Sequence, residues 1–105
     1  MHSGQEEEKM LIKAGVDISR LERNTRRGLG KADVIFESYG EEMVVSSTFE
    51  GNHGAGSLHY ADRAWDNRLP QGNIDAIVFE LKEKLGPDFD VVRRPDHIHN
   101  EYDPK

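Results

Sequence analysis

The chain has 105 residues, no cysteine and a formal net charge of -6. That length supports one hydrophobic core rather than two, and the lack of thiols excludes a disulfide framework or a thiolate metal site, so any metal must be held by histidine and carboxylate. The acidic balance argues against a nucleic-acid surface, which needs clustered Lys and Arg; the one basic run, Arg23 to Arg27, reads as a solvated helix face.

No apolar stretch reaches the roughly 20 residues that span a bilayer, and the start of the chain lacks the apolar segment of a signal peptide. The expectation is a soluble protein without a membrane span, cytoplasmic on synthesis, with lysis or virion delivery as routes by which it could reach a cell wall. Residues 1–9 are polar and acidic and read as a disordered or expression-derived leader. Residues 10–105 are then one domain, expected to be a monomer.

Taken in chain order, Asp17 to Arg27 predicts a short helix, with Asp17 or Ser19 as its cap and Leu21 on its apolar side. Gly28 and Gly30 interrupt it. Ala32 to Tyr39 predicts a second helix, because Val34, Ile35 and Tyr39 recur at near-helical spacing and Gly40 supplies a stop. Glu42 to Phe49, rich in Val, Ser and Thr, reads as a strand, and Gly51 to Gly56, with three glycines, as a loop. Tyr60 to Leu69 predicts a second strand that brings Asp66 beside the first. After a turn at Pro70 to Gly72, Ile74 to Leu85 is the clearest helix: Ile74, Ile77, Val78, Leu81 and Leu85 form one stripe, and Gly86-Pro87 ends it. Phe89 to Val92 and His97 to Tyr102 predict two last strands, joined by a turn containing Arg93, Arg94 and Pro95.

Four of the five histidines, His53, His59, His97 and His99, fall in two short segments, and the first of these also holds Asp66. In His97-Ile98-His99 the two imidazoles share one face of a strand while Ile98 points into the core. Six residues separate His59 from Asp66, a gap that a loop entering a strand can close around one ion. Two histidines and a carboxylate, with a position left for water, make the catalytic zinc pattern, although Fe(II) and Mn(II) also accept such a set. His2 reads as an ordinary surface histidine.

At these residues the chain resembles the superfamily of D-alanyl-D-alanine carboxypeptidases, L-alanyl-D-glutamate endopeptidases and the hedgehog amino-terminal domain. The signature SxHxxGxAxD, followed later by HxH, is met by Ser57-Leu58-His59, Ala64-Trp65-Asp66 and Asp96-His97-Ile98-His99. The nearest local likeness is to hedgehog-type bacterial or phage proteins, through Val45 to Tyr60 and the ending His97 to Pro104. The resemblance implies one zinc ion per chain on His59, Asp66 and His99, with His97 beside the metal stabilising an oxyanion. It also implies Asp96 as general base and Ser57 as a substrate contact. His53, in the glycine loop, is a further candidate for the cleft.

Asp62 stands where the signature has glycine, and the end of the preceding strand offers Phe49 and Glu50 where many of the peptidases carry an arginine. In a regular strand Asp96 faces away from His97 and His99, so its role as base requires a bend at Pro95-Asp96, with Glu50 or Glu101 as substitutes. Trp65, which alternates with Asp66, is expected in the core. The fold expected is α+β, a small, mainly antiparallel sheet with helices on one side and a zinc cleft on the other. The function expected is a zinc metallopeptidase cutting short D-amino-acid-containing peptides such as peptidoglycan stems. The alternative is a non-catalytic hedgehog-like zinc domain that binds a peptide or protein, and a third, weaker idea is an Fe(II) oxygenase.

Overall fold

The structure, a computed structural model, describes residues 10–48 and 62–104. Residues 1–9, expected to be disordered or expression-derived, and the segment expected to form a glycine loop, with His53, Ser57 and His59, lie outside the described residues. The elements are β1 (Leu11–Ile12), α1 (Arg23–Ser38), β2 (Val44–Ser47), β3 (Ala64–Arg68), α2 (Ile74–Leu85), β4 (Phe89–Arg93) and β5 (His97–Tyr102). The strands form one sheet in the order β1-β2-β3-β5-β4, antiparallel except for the β1·β2 pair. The architecture is α+β, as the pattern of elements implies.

Two of the predicted elements are corrected. The separate helices over 17–27 and 32–39 are one helix, α1, which starts later and runs through Gly28 and Gly30. A glycine inside a helix costs about 1 kcal/mol relative to alanine, which packing outweighs here. A Cβ on Gly28 would stand 2.5 Å from Cζ of Phe89, so glycine is what lets α1 seat against the start of β4. The cap is also different: Glu22, not Asp17 or Ser19, accepts the Thr25 backbone N–H at 3.0 Å. Asp17 instead accepts from the N–H and O–H of Ser19 in the turn before the helix. Along α1 the buried positions Gly28, Leu29, Ala32, Ile35 and Phe36 make the inward stripe, which leaves Val34 63% exposed rather than inside.

The helix α2 has the predicted bounds. Ile77, Leu81 and Leu85 are buried, and Gly86 ends the helix at φ 86°, where a side chain would be strained. The turn before it is tied down by the Glu41 carboxylate, which accepts the backbone N–H groups of Gln71 at 2.9 Å and Gly72 at 3.0 Å. The short β1 carries too few residues to show a period in the sequence.

One face of the sheet packs on both helices. Val45, Trp65, Val91 and Ile98 meet Leu29, Phe36, Ile77 and Leu81 in a single core. Trp65 is fully buried, as expected, and its indole N–H donates to Asn67 Oδ1 at 3.0 Å, an oxygen that also accepts from the Asn100 amide at 2.9 Å. Those contacts pair the Asn67 oxygen and the Asn100 amide nitrogen under the sheet, while the buried Asn100 Oδ1 has no hydrogen-bond partner among the described residues. Phe89 lies edge-on to Trp65, with ring centroids 6.3 Å apart, and 5.3 Å from Tyr102. The strand period of two then turns Asp66, His97, His99 and Glu101 to the other face. Among the described residues no helix is long and apolar enough to cross a membrane.

Candidate functional site

The site is built by two neighbouring strands. β3 and β5 run antiparallel with Asp66 directly opposite His99 and Arg68 opposite His97. Side chains directly opposite in such a pair have Cβ atoms roughly 5 Å apart, so the register alone brings the carboxylate and imidazole into contact. His99 Nδ1 lies 2.7 Å from Asp66 Oδ1, with the two side chains only 14% and 15% exposed. His97, two residues back on the same face, sets Nε2 3.8 Å from Asp66 Oδ2.

The other His99 nitrogen is also engaged. Its Nε2 is 2.5 Å from Glu101 Oε1, so the ring stands between two carboxylates and, when both nitrogens carry protons, donates to each. The hydrogen bond to Asp66 holds the His99 pKa above the ordinary imidazole value; burial opposes this and Glu101 adds to it. The His99 ring therefore favours its protonated form more than a free imidazole does.

Asp96 lies in a bend ahead of β5, where the chain leaves regular strand geometry. Its carboxylate is 87% exposed and sits 2.7 Å from Nδ1 of His97, not against His99. Asp96 thus orients the His97 ring and leaves Nε2 as the nitrogen nearer Asp66. The residue at the signature glycine, Asp62, takes φ 60°, a left-handed conformation that Asp tolerates better than most side chains. Its carbonyl accepts the Glu22 N–H at 2.7 Å, joining the entrance of β3 to the start of α1.

Of the residues singled out in the sequence, the structure brings Asp66, His97, Asp96 and His99 together, whereas Ser57, His53 and His59 fall outside the described residues. The sequence offers Glu101 only as a substitute base, yet among the described residues it makes the shortest side-chain contact to His99. The signal was present as His97-Ile98-His99-Asn100-Glu101, three polar side chains at a spacing of two. Glu101 also belongs to an acidic group with Asp90 and Asp103 whose oxygens lie within 4.8 Å of one another. A groove of about 710 Å³ opens beside the pair, with His99, Glu101, Val92 and Arg94 in its wall.

Comparison of the chain with protein-family models, with curated proteins and with solved structures found no match.

Imidazole and carboxylate are donor types that several divalent cations accept, and among the described residues the group of three whose ligand atoms converge is Asp90, Glu101 and Asp103. A carboxylate oxygen and an imidazole nitrogen converge at Asp66 and His99, a second imidazole stands within reach, and the surrounding charge is negative.

Proposed function

We propose that this is a zinc-dependent metallopeptidase, a carboxypeptidase or endopeptidase that hydrolyses short D-amino-acid-containing peptides of the kind found in peptidoglycan stems. The observation that carries the reading is the contact between Asp66 and His99 across β3 and β5, with His97 on the same face. These are the residues that the resemblance names for the metal and for the oxyanion. His59, Asp66 and His99 would hold one zinc per chain. When bound, zinc supplies a Lewis acid and a water whose pKa falls toward about 7.

The chain's own groups have separable tasks. Asp66 and His99 give the site a fixed pair of donors on two rigid strands, which is how a site keeps its geometry. His97 is held by Asp96 at Nδ1, and in its imidazolium form, with a proton on each ring nitrogen, it would donate from Nε2 to an oxygen that gains negative charge. The neighbouring groove has room for an extended peptide beside His99. Asp96 is placed to accept a proton only from the solvent side, since its carboxylate is spent on His97 and is largely exposed.

That exposure favours a second reading, a hedgehog-like domain that keeps the zinc and binds a peptide or protein partner without cutting it. Elemental analysis of protein purified without added metal tests the shared part of both. The expected result is about one zinc per chain, lost in His59→Ala and in His99→Ala. Turnover of peptidoglycan peptides by the zinc-loaded protein then supports the enzyme; a loaded protein that binds such peptides and never cleaves them supports the alternative. No bound metal in the wild type would refute both.

A further inference from the structure

We propose that Glu101 is a positioning residue for the metal site, acting through His99. The inference rests on the zinc reading above and adds a residue that the resemblance does not name. The two His99 nitrogens are not equivalent: Nδ1 faces the Asp66 carboxylate at 2.7 Å, whereas Nε2 faces Glu101 at 2.5 Å. An ion shared by Asp66 and His99 can be reached only through the nitrogen beside Asp66. That nitrogen must then be the deprotonated one, so the remaining ring proton sits on Nε2, and Glu101 is the group that accepts it.

A metal-binding histidine depends on such a partner. A carboxylate on the far nitrogen fixes the tautomer, stops the ring from turning and raises the basicity of the nitrogen that binds the metal. Glu101 is well placed for this. It lies two residues after His99 on the same strand face, and it is 25% exposed against 14% for His99, so its charge is only partly screened. Its own strand is held on both sides, by β3 and by β4, with Ala64 and Asp90 directly opposite Glu101.

The test is zinc affinity, measured by competition with a chromophoric chelator, together with imidazole ¹H–¹⁵N correlation spectra of the zinc-loaded protein. Glu101→Ala should weaken zinc binding about 10- to 100-fold, while Glu101→Gln, whose side-chain carbonyl still accepts from Nε2–H and which keeps the volume, should recover most of that loss. The wild-type spectrum should show the His99 proton on Nε2. Zinc affinity within about twofold of wild type in Glu101→Ala overturns the proposal. So does equal weakening in both variants, which would make the effect one of charge alone, and so does a ring proton found on Nδ1. A wild type that binds no zinc would instead overturn the reading on which the proposal stands, and the proposal with it.

Discussion

Two glycines two residues apart on α1 should respond to alanine in opposite directions. At Gly30 an added Cβ meets nothing within 4 Å, and the position is exposed in the middle of a regular helix. Alanine there gains helix propensity and loses unfolded-state entropy, so Gly30→Ala should stabilise the protein by about 0.5–1 kcal/mol. At Gly28 the same propensity gain is available, but the new carbon would stand 2.5 Å from Cζ and 2.8 Å from Cε2 of Phe89. Carbon atoms rest at about 3.5–4.0 Å, so more than about 1 Å must be found. Phe89 cannot easily yield it, because the ring is held between Trp65 and Tyr102. Overpacking of this kind costs about 1–3 kcal/mol, which leaves a net destabilisation of about 1–2 kcal/mol after the propensity gain. Urea denaturation at fixed pH measures both changes. Phe89→Leu in the Gly28→Ala background should recover part of the loss, a coupling that independent sites would not show. Equal stabilisation by the two alanines would refute the account of why α1 passes over β4 at a glycine.

Asp96→Ala should leave zinc content near one per chain and lower turnover by about 10- to 1,000-fold, whether it acts as base or by aiming His97; undiminished activity would remove Asp96 from the machinery. The metal-free protein should also lose stability as pH rises. The His99 pKa is raised in the folded state above the ordinary 6.5 by Asp66 first, against burial, with help from Glu101. A group with a raised folded pKa contributes its full stabilisation below the unfolded value and loses it as pH climbs through the folded one. Chelator-treated protein should therefore unfold at lower urea concentration above that range than at about pH 6, and Asp66→Asn should flatten the dependence. A midpoint that holds steady across the range would mean that the ring is not charged in the metal-free fold.

The amino-acid order by itself determined those parts of the fold in which local period and tertiary packing agree. Ile77, Leu81 and Leu85 recur at helical spacing and are the residues that α2 buries. The alternation His97-Ile98-His99 puts Ile98 in the core and both imidazoles on the other face, as a strand must. Trp65 and Asp66, adjacent in sequence, part to opposite faces for the same reason. These readings needed no knowledge of what lay across the sheet.

Only the tertiary structure decided the rest. Gly28 looks like a helix stop in sequence because the ring that makes glycine necessary, Phe89, is 61 residues further on. A cap at Glu22 is not foreseeable from propensity, since its backbone N–H is held by the carbonyl of Asp62, 40 residues further on. The pairing of Asp66 with His99 depends on strand register, and a slip of one residue would turn one of them into the core. The same register gives His99 two carboxylates instead of one. Spacing placed Glu101 on the right face, but only the folded sheet brings its oxygen onto the nitrogen that Asp66 leaves free.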